Sequence, residues 1–130
     1  MVGKMSKVLI RTRNGEFQAE LDDSDVSNAI WLSNSLKFDI NMLEGMIYAE
    51  IPTKFNPPAE EGTTQMEVGD IAYWPGPMAI CIFYGPTVLS GEDKKPVAPF
   101  PMVKIGHVIG DCSGLEHAGD RQSMTIVQSF

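Results

Sequence analysis

Between positions 107 and 117 the sequence reads HVIGDCSGLEH. Its His107, Asp111, Cys112, Glu116 and His117 are all side-chain types that hold zinc. Their spacing follows no recognised metal motif, and His107 falls in mid-strand, where an exposed or core-satisfied imidazole is expected. Asp70, after Gly69, can in principle serve as a general acid or base. At a turn leading into a strand, its expected role is instead to hydrogen-bond the backbone. The arginines are Arg11, Arg13 and Arg121, so no guanidinium falls between positions 14 and 120. There is no Gly-x-Ser-x-Gly, phosphate-binding loop or dinucleotide fingerprint. No catalytic residue, metal or cofactor is therefore expected.

Binding chemistry has a stronger signal in GDIAYWPGPMAICIFYGP, residues 69–86. Tyr73 and Trp74 precede the Pro75-Gly76-Pro77 turn, and with Pro75 they are the candidate wall of a groove. Small Ala79 and Cys81 beside the large Tyr73 and Trp74 would leave a recess. Such an apolar, aromatic-lined cleft is the usual form of a small-ligand site, and Tyr48 and Glu50 would supply its polar contacts. The competing expectation is that these aromatics plug the end of a barrel or pack beneath a loop.

Composition sets the frame for that site. The 130 residues, 43% hydrophobic and 21% charged, suit a single domain over residues 1–130 with one core. Residues 1–6 are expected to be a disordered or vector-derived tip. A net charge of −7 argues against nucleic acid or an anionic membrane as partner. The longest apolar run, residues 78–84, is too short for a bilayer span, and no secretory signal opens the chain. A cytoplasmic location is the default. Two cysteines make no disulfide framework; Cys81 lies in an apolar strand, and Cys112 near a turn is expected to be more exposed.

The elements that must position the site follow from periodicity. Val8, Ile10 and Thr12 alternate with Leu9, Arg11 and Arg13, and Phe17, Ala19 and Leu21 alternate with Glu16, Gln18 and Glu20. With Asn14-Gly15 between them, these runs predict a β-hairpin. Ser24 or Asp23 is placed to cap a helix over residues 25–35, with Trp31 packing on the sheet. Strands are predicted over residues 36–42, 45–51, 65–68, 71–74, 78–84, 103–110 and 123–128. Residues 56–64 and 85–102 read as loops, and 113–120 as a turn or single helical turn. About eight antiparallel strands and one convincing helix predict a mainly β, closed eight-stranded barrel with one or two short helices.

Particular residues then carry a resemblance. VGDIAYW and GPMAICIFYG resemble the cyclophilin segment in which a glycine precedes one strand and a second strand carries an aromatic-rich run. MVKIGHVIGD, residues 102–111, is similar to a further cyclophilin strand, with similar spacing between the blocks. Over residues 8–128 the chain resembles the compact cyclophilin-like domains of archaea and bacteria, a mostly uncharacterised group. The resemblance implies the cyclophilin barrel.

It does not carry the isomerase groove with it. Prolyl rotation faces a barrier of about 20 kcal/mol, and a catalyst must bind the twisted amide best. In cyclophilins an arginine does this work, in the strand region matching residues 45–51. That region offers only Tyr48 and Glu50 as polar groups. The Phe-Met-x-Gln-Gly-Gly signature is replaced by PTKFNPPAEEG, and MAICIF supplies Ala79 and Cys81 where groove glutamine and phenylalanine are expected. The Trp-Leu-x-Gly-x-His segment is absent. The expected function is non-enzymatic binding of a small molecule or peptide near Tyr73 and Trp74, with a divergent prolyl isomerase as the alternative. The protein is expected to be a monomer, or a homodimer through the apolar stretch 96–103.

Overall fold

The computed structural model describes residues 6–33, 35–51 and 62–129. The opening hairpin forms as expected from β1 (Ser6–Thr12) and β2 (Gly15–Leu21), with Val8, Ile10, Ala19 and Leu21 on the buried face. Its register pairs Thr12 with Gly15, so the turn residues are Arg13 and Asn14 rather than Asn14 and Gly15. Positive φ is not used here. The Thr12 hydroxyl closes the turn by donating to the Gly15 carbonyl at 3.0 Å.

Helix α1 spans Asp25–Leu32, and Ser24 caps it by accepting from the Ser27 amide at 3.2 Å. Val26 and Ile30 enter the core, and Trp31 lies half-buried against it. The helix stops short of the expected Ser35 because that residue opens β3 (Ser35–Asp39). Leu36, expected to begin the next strand, pairs with Ile126 in β10 (Ser123–Gln128), and Ser35 before it pairs with Val127. Sheet pairing and burial override the local period there.

The single strand expected over residues 36–42 divides at Ile40. β3 pairs with β10, whereas β4 (Asn41–Leu43) pairs with β5 (Met46–Glu50). Ile40 is fully buried and tied to the neighbouring turn through Ile40 N to Gln122 O, 3.0 Å, and Arg121 N to Ile40 O, 2.8 Å.

β6 (Thr63–Gln65) starts before the strand expected at residues 65–68; the rest of the predicted loop, 56–61, lies outside the described residues. β7 (Asp70–Trp74) and β8 (Ala79–Phe83) follow closely. The turn between them puts Met78 at φ 54°. β9 (Val97–Val108) begins six residues earlier than the strand expected over residues 103–110. Pro99 and Pro101 had suggested loop, because a proline cannot donate to a ladder. They are accommodated beside β6, where Thr63 pairs with Met102 but Gln65 with Val97, an irregular register that absorbs the extra β9 residues. A 3₁₀ turn at Ser113–His117 leads to β10.

The architecture is mainly β and antiparallel, with one α-helix. The expected closed eight-stranded barrel needs correction: ten strands are present among the described residues. Their hydrogen-bonded path runs β3-β10-β1-β2-β9-β7-β8-β5-β4, with β6 beside β9. Among the described residues no ladder joins its two ends. Yet β3 and β4 are consecutive in the chain, with only Ile40 between them. The sheet must therefore curl until its ends meet at that residue, leaving a seam held by chain connectivity.

Candidate functional site

Strand alternation sorts the site residues before any side chain is considered, since successive residues point to opposite faces. On β5, Ile47 and Ala49 join the main core; so do Ile71 and Tyr73 on β7, and Ile80 and Ile82 on β8. The opposite face carries a second cluster of Met46, Ala72, Cys81 and Phe83, covered by Met66, Ala98 and Met102. Tyr48 and Trp74 pack at its edge.

Register fixes the rows on that outer face. Tyr48 pairs with Cys81, Cys81 with Ala72, and Ala72 with Lys104. In the next row Glu50 pairs with Ala79, and Ala79 with Trp74. Five of the seven residues expected at a groove, Tyr48, Glu50, Trp74, Ala79 and Cys81, therefore share one face. Tyr73 points the other way, 1% exposed in the main core, and burial raises its phenol pKa. Pro75 is exposed in the turn beyond β7. Ala79 and Cys81 are fully buried, and burial pushes the Cys81 thiol up to about 12.

Three aromatic rings line up on this face. The Tyr48 ring meets Trp74 edge-on with centroids 5.9 Å apart. Trp74 in turn stacks on Phe100, centroids 5.3 Å apart and planes 21° from parallel. Phe100 is 54% exposed. It escaped the sequence reading because the flanking prolines Pro99 and Pro101 suggested loop. The signal that would have found it is an aromatic residue two positions before the apolar Met102.

Charge on the same face comes from Lys104, whose Nζ lies 3.0 Å from Asp70 Oδ2. Asp70 also accepts from the Glu67 amide at 2.8 Å, so it braces the entry to β7 as a turn residue should. None of the three arginines lies on β5, β7, β8 or β9. Arg11 pairs with Glu16 on the first hairpin at 2.9 Å.

The zinc-type residues are dispersed. His107 is exposed in β9, and His117 contacts its neighbour Glu116 at 3.2 Å. Cys112 is 4% exposed, contrary to the expected exposure, because the chain folds under the 3₁₀ turn into the core. Among the described residues no group of three or more His, Cys, Asp or Glu is placed to hold a metal. No described helix is long and apolar enough to cross a membrane.

Two concavities flank the aromatic face. One, about 430 Å³, opens at the seam and is lined by Lys37, Phe38, Asp39, Asn41, Glu50 and Ile51. Glu50 therefore stands at the seam, beyond the aromatic face. The other, about 160 Å³, lies between the β4–β5 turn, residues 87–89 and the start of β9.

The family model described as Cyclophilin-like matches residues 6–127. A hypothetical protein from Archaeoglobus fulgidus, known from a solution structure, is similar at 26% identity and a TM-score of 0.76. The match covers 98% of this chain and 97% of that one. No curated protein matches. The strand blocks, the matched span and the structural neighbour agree: the chain belongs to the cyclophilin-like family.

Proposed function

We propose that this protein is a non-enzymatic binding module that takes an apolar or proline-containing ligand, peptide or small molecule, against Tyr48, Trp74 and Phe100. The observation that carries the reading is the Tyr48–Trp74–Phe100 ladder, with its outer ring more than half exposed. Rigid aromatic rings give a large apolar contact at small entropic cost, and extended proline-rich segments dock on such surfaces. The reading against catalysis rests on the residues along the face. Its cation, Lys104, is already engaged by Asp70, and the strand region where the cyclophilin arginine is expected, residues 45–51, offers only Tyr48 and Glu50 as polar groups.

Two measurements test it. Titration of ¹⁵N-labelled protein with acetyl-Ala-Gly-Pro-Phe-amide should shift the amides of Tyr48, Trp74 and Phe100; an unchanged spectrum there removes the binding reading. A protease-coupled assay on a proline peptide should return the uncatalysed rate. Acceleration proportional to protein concentration would replace the module with a divergent isomerase.

A further inference from the structure

The 160 Å³ pocket beside the aromatic face has a different character. Leu43, Met46, Val88, Leu89, Val97 and Pro99 line it, with Glu44 and Thr87. Leu43, Val88 and Leu89 are 46%, 78% and 53% exposed, three large apolar side chains gathered around one opening.

Both walls are held in place. Thr87 is 8% exposed; its hydroxyl donates to the Val97 carbonyl at 2.7 Å and accepts from the Val97 amide at 3.2 Å. Ser90 Oγ accepts from the Thr87 amide at 2.8 Å and donates to the Lys95 carbonyl at 2.7 Å. Val88 and Leu89 thus ride on a braced loop that keeps them in water. Across the pocket, the Tyr84 hydroxyl donates to the Leu43 carbonyl at 2.8 Å, and the Tyr84 amide donates to Gly45 O at 2.9 Å. Walls fixed before binding lower the entropic cost of filling the space between them.

Size and charge choose the occupant. A cavity of about 150 Å³ accepts one benzene-sized group, so this one admits a single leucine, methionine or phenyl side chain. Glu44 lines the pocket and makes no ion pair among the described residues. It also lines an adjoining cleft of about 290 Å³ with Glu116, Tyr84 and Ser113. The chain's net charge of −7 adds a long-range bias in the same direction.

We infer that this pocket is a second binding site, for a basic peptide segment in which one large apolar side chain is flanked by lysine or arginine. The apolar side chain fills the space between Leu43 and Leu89, and the cation beside it meets Glu44 at the mouth of the acidic cleft. This goes beyond the aromatic face, because the lining, the charge and the reporting amides all differ.

The test uses the ¹⁵N-labelled full chain and three capped tripeptides. Acetyl-Lys-Leu-Lys-amide should shift Leu43, Val88, Leu89 and Val97. Acetyl-Lys-Ala-Lys-amide and acetyl-Glu-Leu-Glu-amide should bind several-fold more weakly. Glu44→Gln should weaken the first peptide about two- to fivefold, the worth of an exposed ion pair. Leu89→Asp, in an exposed loop position, should abolish the shifts while the remaining spectrum stays dispersed. Absence of shifts with the lysine peptide, or equal binding of the acidic one, overturns the inference. So does a concentration-dependent dimer that Leu89→Asp splits, which would assign the pocket to a second copy. Failure here leaves the proline-peptide shifts at Tyr48 and Trp74 intact, so the two readings fall separately.

Discussion

Trp74 and Phe100 stack with ring centroids 5.3 Å apart, although 25 residues of chain separate them in number and each belongs to a different strand. The contact exists because β9 extends back to Val97 and carries Phe100 over the outer face of β7. Removing the Phe100 ring should therefore be read at Trp74. In a Trp31→Phe background, Phe100→Ala should red-shift the Trp74 emission and cost about 0.5–1.5 kcal/mol, the typical worth of an aromatic pair. An emission maximum that does not move would show that the stack is not populated in solution.

Burial predicts a contrast in stability between core and surface. Ile80 sits fully buried between β7 and β5 in the main core, whereas Leu32 is 77% exposed at the end of α1. Ile80→Ala should cost about 2–5 kcal/mol through lost burial and a residual cavity. Leu32→Ala should stay within about 0.5 kcal/mol. Urea denaturation of both variants gives the comparison, and equal midpoints would contradict the assignment of the core.

Gly45 joins the backbone to the pocket. Its φ is +78°, and an added Cβ would lie 2.6 Å from the Gly85 carbonyl oxygen. A side chain there meets both left-handed strain and backbone contact, so Gly45→Ala should cost more than about 1 kcal/mol. The displaced turn should also change the amide shifts of Leu43 and Tyr84. Tyr84→Phe, which loses only the hydrogen bond to Leu43, should cost about 1 kcal/mol.

The thiols predict a pH dependence. Burial raises Cys81 from 9.0 to about 12, and burial together with the Asp111 charge raises Cys112. Below pH 9 both thiols are protonated in either state and stability is unaffected. Above it the unfolded chain releases the Cys81 proton while the folded chain retains it, so stability falls as pH rises from 9 towards 12. The slope is about 1.4 kcal/mol per pH unit for that one group. Cys81→Ala should flatten this slope. Ellman's reagent at pH 8 should find neither thiol in the native protein and both after denaturation.

Much of the local architecture was legible in the chain. Strict alternation in residues 8–12 and 17–21 fixed the first hairpin and its buried face. A cap at Ser24 or Asp23 and the Val26–Ile30 spacing marked the start of α1, and the Gly69-Asp70 entry marked β7. These features depend on contacts within a few residues, which composition and period encode directly. The family resemblance was likewise carried by contiguous blocks, and the match over residues 6–127 bears it out.

Long-range pairing decided the rest. Whether Ser35 ends a helix or opens a strand depended on Val127, some ninety residues away. Whether Pro99 and Pro101 lie in loop or strand depended on an irregular register against Thr63 and Gln65. Which way Tyr73 and Trp74 face is a matter of one residue of phase: period two sends neighbours to opposite sides, and only the sheet's curl defines which side is inside. The sequence by itself determined that Tyr48, Trp74, Ala79 and Cys81 exist at spacings that can share a face. The tertiary structure alone decided that Met66 and Met102 cover the small pair, that Tyr73 turns inward, and that Phe100 completes the exposed aromatic ladder. Burial is settled by what packs against a strand, and those partners come from remote parts of the chain.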